Sequence, residues 1–178
     1  MTDVIIQGIN GRMGRVLQEL IAQRNDCRVV AGIDLAASNG DIPVFASFND
    51  LTVKGDVLID FSAPAATRNA IQYCREHKLP CVICTTGLDA ETEAELHELS
   101  SHCAVFKSAN MSMGINLLIK LAKEASLLLG DAYDVEIVEK HHHNKVDAPS
   151  GTALMIADEV NAVNDNKYEY VYDRHSVR

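Results

Sequence analysis

The chain has no run of lysine and arginine residues, and its acidic residues outnumber its basic ones. Its 178 residues include 25 Asp and Glu but only 16 Lys and Arg, which gives a formal net charge of -9 at pH 7. Nucleic-acid binding needs a positive surface that neutralises phosphates. The composition therefore argues against a nucleic-acid partner, and an anionic ligand would need a local cluster of basic groups.

The sequence also lacks an uninterrupted apolar stretch long enough to cross a membrane, and its first residues, MTDVIIQG, contain no basic leader or cleavage site. We therefore expect no membrane partner and a cytoplasmic location. Hydrophobic residues make up 47% of the chain, which suffices for a substantial core in one domain or two small ones.

A disulfide framework is not expected, because the five cysteines are an odd number scattered through apolar stretches. The single C-x-x-C, from Cys81 to Cys84, lies in PCVICTTG, a pattern typical of a buried strand. Residues three apart on a strand point to opposite faces, so neither metal chelation nor thioredoxin-type redox chemistry fits. We expect reduced cysteines in the core.

Strands alternate with amphipathic helices through the first part of the chain. The apolar run VIIQG precedes apolar residues at helical spacing, namely Met13, Val16, Leu17, Leu20 and Ile21. Further on, the pattern predicts the strands RVVAGID, VLIDF, CVICTT and AVF, a helix opened by Pro64 and a helix capped by Asp89. This alternation indicates a Rossmann-like, doubly wound parallel sheet of the α/β class, interrupted by a long loop at residues 35–56.

The first turn carries three glycines, Gly8, Gly11 and Gly14, spaced one residue wider than the usual G-x-G-x-x-G. A phosphate at such a turn is held by backbone N–H groups and the helix dipole, so the chemistry needs glycines that let the backbone approach and not one rigid spacing. The turn therefore predicts dinucleotide binding.

Asp34 ends the second predicted strand, twenty residues beyond Gly14, where a carboxylate can hydrogen-bond the hydroxyls of the adenine ribose. The alternative is an ordinary strand-end Asp that caps a loop. Residues 35–37 supply no cation for a ribose phosphate. We therefore expect NADH as the preferred cofactor, with NADPH possible because Arg12 lies nearby.

The stretch EIVEKHHHNKVDAPSGTA carries the strongest chemical signal. On a strand, Glu139, His141 and His143 would share one face, and a break beyond them would let Lys145 fold back toward His141. A site with three histidine ligands is an alternative. However, adjacent strand residues cannot all reach one ion and no paired carboxylate follows at ligand spacing, so we expect no metal. A solvated loop with incidental histidines is the other alternative.

The same stretch contains the start of a helix. Pro149 ends the loop and Ser150 is a natural N-cap, so the N–H groups of Gly151 and Thr152 would point at an anion. Histidines, a lysine and a helix N-terminus would then converge on an anion site with a proton donor.

Five motifs resemble those of the dihydrodipicolinate reductase family of bacterial diaminopimelate and lysine synthesis: GINGRMGR, DFSAPAAT, TTGL, SANMSMGIN and EIVEKHHHNKVDAPSGTA. The resemblance covers the whole chain. It implies an oxidoreductase that reduces hydroxy-tetrahydrodipicolinate, an unsaturated imine dicarboxylate, to tetrahydrodipicolinate with NAD(P)H. Because family members are longer, the resemblance also implies that the chain is truncated at its C-terminus and that the full-length protein is a homotetramer.

The resemblance implies roles for individual residues. Catalysis falls on His141 and Lys145, and substrate binding falls on His142, Gly151 and Thr152. The sequence does not distinguish His141 from Lys145 as the proton donor, although imidazole titrates near neutral pH and donates efficiently there. The implied cofactor contacts are Gly8, Ile9, Asn10, Gly11, Arg12, Met13, Asp34, Cys84, Thr85, Thr86, Ser108, Ala109, Asn110 and Met111.

We therefore expect a dinucleotide-binding domain at residues 1–110 and an α+β substrate-binding and catalytic domain, incomplete here, at residues 111–178. Two other functions stay open. A dehydrogenase of another aspartate-derived metabolite would keep the glycine turn but would not need the HHHNKVDAPSGT cluster. A non-catalytic NAD-binding regulator is the other.

Overall fold

The structure of the protein, a computed structural model, describes residues 1–108, 110–145 and 148–172. The chain forms two compact units, Met1–Ala109 and Asn110–Arg178. No helix in the described part of the chain is both long enough and apolar enough to cross a membrane.

A parallel sheet organises the first unit. Its strands are β1 (Thr2–Gln7), β2 (Cys27–Ile33), β3 (Ser38–Asn39), β4 (Pro43–Phe45), β5 (Val57–Asp60), β6 (Cys81–Ile83) and β7 (Val105–Lys107). They lie in the order β3-β4-β2-β1-β5-β6-β7, and every neighbouring pair is parallel except β3 and β4. The parallel strands follow one another outward from β1, through β5, β6 and β7 on one side and through β2 and β4 on the other, which is the doubly wound, Rossmann-like arrangement. The predicted α/β class is confirmed.

Three helices cover this sheet: α1 (Arg12–Ala22), α2 (Pro64–His77) and α3 (Ala90–Leu99). The predicted starts of α2 and α3 are confirmed, since Pro64 is the first residue of α2 and the Asp89 carboxylate caps α3 by accepting the Thr92 N–H at 2.8 Å. The predicted strand CVICTT is too long, because β6 ends at Ile83.

The core lies on both faces of the sheet because side chains alternate along each strand. On β1, Ile5 packs into a cluster with residues of α2 and α3, while Val4 and Ile6 pack with Ile21 of α1 on the opposite face. The cysteines are free thiols, and those at positions 74, 81 and 84 are buried. The expectation of reduced cysteines in the core is confirmed for these three.

The prediction that residues 35–56 form a long loop is wrong in part. It contains β3, β4 and a 3-10 turn at Phe48–Asp50. The three residues of β4 are too few for an alternating pattern to be recognised, and their pairing with Gly32 and Ile33 of β2 is what makes them a strand. Phe48 from the following turn completes the core on that side.

The second unit contains two packed helices, α4 (Met113–Leu129) and α5 (Gly151–Val163), at the predicted positions. Lys123 of α4 forms an ion pair with Glu159 of α5. Beyond the end of α5, the side-chain amide of Asn164 donates a buried hydrogen bond of 2.9 Å to the Ser126 hydroxyl. These contacts tie the two helices together.

The two strands predicted in the second unit are not formed among the described residues. Residues 134–142 and 167–172 belong to no helix or strand. A strand persists only when its backbone N–H and C=O groups pair with a neighbour. Hydrophobic alternation alone predicted these strands, and within the described residues no neighbouring strand pairs with either stretch.

Candidate functional site

The turn between β1 and α1 exposes backbone N–H groups at the carboxyl edge of the sheet. Gly8 has a φ of +77°, and a Cβ there would lie 2.5 Å from the carbonyl oxygen of Phe61. A Cβ on Gly14 would lie 2.3 Å from the carbonyl oxygen of Gly8, so neither position has room for a side chain. Gly11 is the N-cap of helix α1 and supplies no side-chain cap. The N–H groups of its first turn therefore have no partner within the helix and can bind an anion.

The Asp34 carboxylate lies beside this turn, directly after β2. Its Oδ2 accepts the Asn10 N–H at 3.0 Å, and the Asn10 side chain donates to the Ala36 carbonyl at 3.2 Å. Asp34 thus caps the loop, which is the alternative that the sequence left open. Within the described residues its Oδ1 makes no hydrogen bond, so the same carboxylate can also accept from a ribose hydroxyl.

A cleft of about 820 Å³ opens at this edge of the sheet. Gly8, Gly11 and Asp34 line it together with residues 46–49 and one side of α2. The charged side chains in its described lining are Asp34 and Glu76, both acidic. The volume suits a nucleotide-sized ligand. No lysine or arginine among the described lining residues would neutralise a phosphate on the ribose.

Asp60, which is not among the residues predicted for the site, organises the loops beside the glycine turn. Its carboxylate is fully buried at the end of β5. Oδ1 accepts the N–H and hydroxyl of Ser62 at 3.0 and 2.5 Å, and Oδ2 accepts the hydroxyls of Thr67 and Thr85 at 2.6 and 3.0 Å. These four hydrogen bonds hold together the segment after β5, the first turn of α2 and the segment after β6. The one sequence signal is the motif DFSAPAAT, which begins at this residue.

Among the predicted cofactor contacts after β6, Cys84 and Thr85 are buried and Thr86 is exposed. Burial, followed by the charge of Asp60, raises the pKa of the Cys84 thiol to about 11. Cys84 is therefore a protonated thiol at neutral pH and not a nucleophile.

The predicted cofactor contacts at 108–111 fall on both units. Ser108 continues from β7 in the first unit, and its N–H donates to the Ile83 carbonyl at 3.1 Å. Asn110 and Met111 belong to the second unit, while Ala109 lies outside the described residues. The Asn110 side-chain amide donates to the hydroxyl of Thr152 at 3.0 Å. A residue assigned to the cofactor is thus bonded to one assigned to the substrate.

Glu139 connects the histidine stretch to the start of α5. Its Oε1 accepts the N–H of Ser150 at 2.8 Å, and its Oε2 lies 3.7 Å from Nδ1 of His141. The hydrogen bond from Ser150 and, more weakly, the charges of His141 and Lys145 hold the pKa of the Glu139 carboxyl below its usual value. The sequence predicts Glu139 and His141 on one face of a strand. The two side chains are close, although no strand forms.

The residues that follow form a turn, closed by a 3.1 Å hydrogen bond from the Lys145 N–H to the His142 carbonyl. The predicted N-cap is confirmed, since the Ser150 hydroxyl accepts the Ala153 N–H at 3.1 Å. Gly151 and Thr152 form the first turn of α5, and both are half-buried. Among the described residues, no group of three or more His, Cys, Asp and Glu side chains is arranged to hold a metal ion.

Comparison with known proteins matches both units to one family. The family described as "Dihydrodipicolinate reductase, N-terminus" matches residues 2–111, and "Dihydrodipicolinate reductase, C-terminus" matches residues 114–178. A 4-hydroxy-tetrahydrodipicolinate reductase of Clostridium tetani is 45% identical, with 100% of this chain and 71% of that protein covered. One of Caldanaerobacter subterraneus subsp. tengcongensis is 47% identical, with 99% and 70% covered. The chain thus spans about 70% of the length of these curated relatives.

The solved structures agree with the sequence matches. A dipicolinate-bound dihydrodipicolinate reductase from Paenisporosarcina sp. TG-14 superposes with a TM-score of 0.74 at 28% identity, covering 100% of this chain and 72% of that one. An aspartate dehydrogenase from Thermotoga maritima shares the fold alone, with a TM-score of 0.52 at 17% identity over 68% of this chain and 52% of that one. Because both parts of the family match along nearly all of its length, the chain belongs to the dihydrodipicolinate reductase family.

Proposed function

We propose that the chain catalyses the reduction of 4-hydroxy-tetrahydrodipicolinate to tetrahydrodipicolinate in diaminopimelate and lysine biosynthesis. In this reaction NAD(P)H supplies a hydride, a proton is added and the 4-hydroxyl group leaves as water. The observation that carries this proposal is the match to relatives of that name across at least 99% of the chain. It is supported by a nucleotide-sized cleft in the first unit and, in the second, a histidine and a lysine close to a helix N-terminus.

The glycine turn and Asp34 hold the cofactor in this proposal. The free N–H groups at the start of α1 bind the pyrophosphate, and Asp34 Oδ1 accepts from the adenine ribose. A bound nicotinamide supplies the hydride that such a reduction needs. NADH is preferred over NADPH, since Asp34 repels a ribose phosphate and no cation among the described lining residues offsets it. The predicted contacts Cys84, Thr85, Thr86 and Ser108, which belong to the same unit, complete the cofactor site.

The start of α5 binds one carboxylate of the substrate. The N–H groups of Gly151 and Thr152 are positioned by the Ser150 cap and carry the positive end of the helix dipole. His142 and Lys145 hold the rest of the dicarboxylate. The relative from Paenisporosarcina binds dipicolinate, a dicarboxylate, which supports this substrate class. Residues 1–110 then form the dinucleotide-binding domain and residues 111–178 the substrate domain.

His141 is the proton donor in this proposal, and Lys145 assists it. Glu139 lies 3.7 Å from Nδ1 of His141, so it orients the ring and leaves Nε2 to face the substrate. Lys145 contributes a positive charge to the same surroundings, where it offsets the charge of a dianion.

The test is the absorbance of NADH in the presence of freshly generated 4-hydroxy-tetrahydrodipicolinate. We expect NADH to be consumed only when that substrate is present, and not with an aspartate-derived aldehyde alone. Consumption with the aldehyde alone would indicate a different dehydrogenase. Tight NADH binding without turnover of either compound would indicate a non-catalytic regulator.

A further inference from the structure

The side chain of Asn110 makes two hydrogen bonds, and the first determines the direction of the second. Its Oδ1 accepts the backbone N–H of Ser112 at 2.9 Å. A backbone N–H can only donate, so the atom facing it must be the amide oxygen. The amide nitrogen therefore faces Thr152 and donates to its hydroxyl oxygen, 3.0 Å away.

This arrangement leaves the Thr152 hydroxyl proton available for donation to another group. A hydroxyl has one proton and two lone pairs, and the bond from Asn110 occupies a lone pair. Among the described residues no acceptor takes the proton of Thr152, which is the second residue of α5. The hydroxyl can therefore donate its proton to an anion that also accepts from the N–H groups at that helix start. Donation from Asn110 also polarises the hydroxyl, which strengthens the outgoing hydrogen bond.

The backbone around Asn110 is held firmly enough to serve this purpose. The Asn116 side chain donates to the carbonyl of Asn110 at 3.3 Å and to that of Ser112 at 2.9 Å. The segment before α4 is thus fixed to the first turn of that helix, and the Asn110 side chain is aimed at α5.

We propose that Asn110 is a positioning residue that turns the hydroxyl proton of Thr152 toward a carboxylate of the substrate. This inference rests on the proposed function, in which Thr152 binds that carboxylate. It gives the Asn110 side chain a role in substrate binding, whereas sequence analysis assigns the residue to the cofactor.

The variant Asn110→Asp tests the idea with little change in shape. One carboxylate oxygen still accepts the Ser112 N–H, but the group that faces Thr152 becomes an acceptor, so the hydroxyl now donates to it. We expect the Kd of dipicolinate, measured by calorimetry with NADH present, to rise about 10- to 100-fold, as for the loss of a hydrogen bond to a charged group. The KM of the substrate should rise similarly, while kcat changes less and the Kd of NADH stays the same.

A double-mutant cycle with Thr152→Val separates positioning from the added negative charge. The valine variant removes the hydroxyl, so in that background Asn110→Asp should change the Kd of dipicolinate by no more than about twofold. Thr152→Ser keeps the hydroxyl and should bind dipicolinate nearly as wild type does. Far-UV circular dichroism of each variant establishes that it is folded.

Three results would overturn the positioning role: unchanged dipicolinate affinity in Asn110→Asp, an equal loss in the Thr152→Val background, or loss of NADH binding. If the wild-type protein neither binds dipicolinate nor reduces the substrate, the proposed function fails and the inference fails with it. Wild-type turnover together with normal dipicolinate binding in Asn110→Asp refutes the inference alone.

Discussion

Replacing Asp34 by asparagine tests how the chain discriminates between NADH and NADPH. The change removes a negative charge from the cleft but keeps a side-chain oxygen that can accept the Asn10 N–H, now 3.0 Å from Oδ2. The turn between β1 and α1 should therefore keep its shape. Any change in cofactor preference then reflects the lost charge, together with the loss of Oδ1 as an acceptor for the ribose hydroxyl, and not a rearranged loop.

The expected magnitude follows from the charges that line the cleft. The ribose phosphate of NADPH carries close to two negative charges, and no lysine or arginine in the described lining offsets Asp34. If the ribose phosphate lies about 5 Å from the Asp34 carboxylate in water, its two negative charges repel that carboxylate by about 2 kcal/mol. That energy corresponds to roughly a 30-fold difference in Kd. We expect wild type to bind NADH about 30-fold more tightly, and Asp34→Asn to remove most of this difference.

Titration calorimetry with both cofactors measures the ratio directly. Asp41→Asn is a matched control, because Asp41 is exposed and does not line the cleft, yet the net charge changes equally. Equal affinities of wild type for NADH and NADPH would refute the reasoning. So would a ratio that Asp34→Asn leaves unchanged, or one that Asp41→Asn narrows as much.

Three further variants test separate parts of the site. Gly14→Ala places a methyl group 2.3 Å from a carbonyl oxygen and should abolish NADH binding in calorimetry. Gly114→Ala is the control, because the nearest neighbour of its methyl group would be 3.7 Å away and NADH binding should persist. Retained NADH binding in Gly14→Ala would contradict the loop geometry. Asp60→Ala removes the acceptor of four hydrogen bonds and should lower the free energy of unfolding by about 3–5 kcal/mol in urea denaturation. Asp60→Asn should lower it less, and a free energy of unfolding equal to that of wild type in Asp60→Ala would contradict the prediction. His141→Gln and Lys145→Ala should each reduce turnover by about 100- to 10,000-fold with an unchanged Kd for NADH. The loss of turnover in the double variant should be smaller than the product of the two single losses. Loss of NADH binding in the single variants would contradict a catalytic role for both residues.

The sequence predicts the fold of the first unit well because its signals are local. Strands of a parallel sheet are short apolar runs, and helix starts such as Pro64 and Asp89 carry their own caps. The strand β4 escapes prediction because three residues show no period. The strands predicted within residues 132–144 and 168–173 are not formed in the described part, because alternation specifies which face is buried but supplies no partner strand.

The same distinction applies to the candidate site. The glycine turn, Asp34 and the Ser150 cap are local features, and the sequence predicts them. The hydrogen bonds from Thr85 to Asp60 and from Asn110 to Thr152 span 25 and 42 residues. Nothing in the local sequence indicates these partners, since the packing of the sheet and of the helix pair brings them together.

The most direct test of the proposed reaction follows the transferred hydride. The protein is incubated with freshly generated 4-hydroxy-tetrahydrodipicolinate and NADH that carries deuterium at the reactive carbon of the nicotinamide, and the product is analysed by mass spectrometry. We expect tetrahydrodipicolinate that contains one deuterium when the label is on the transferred face and none when it is on the other. Substrate left unchanged, or NADH consumed with no deuterium in the product from either labelled form, would contradict the proposed function.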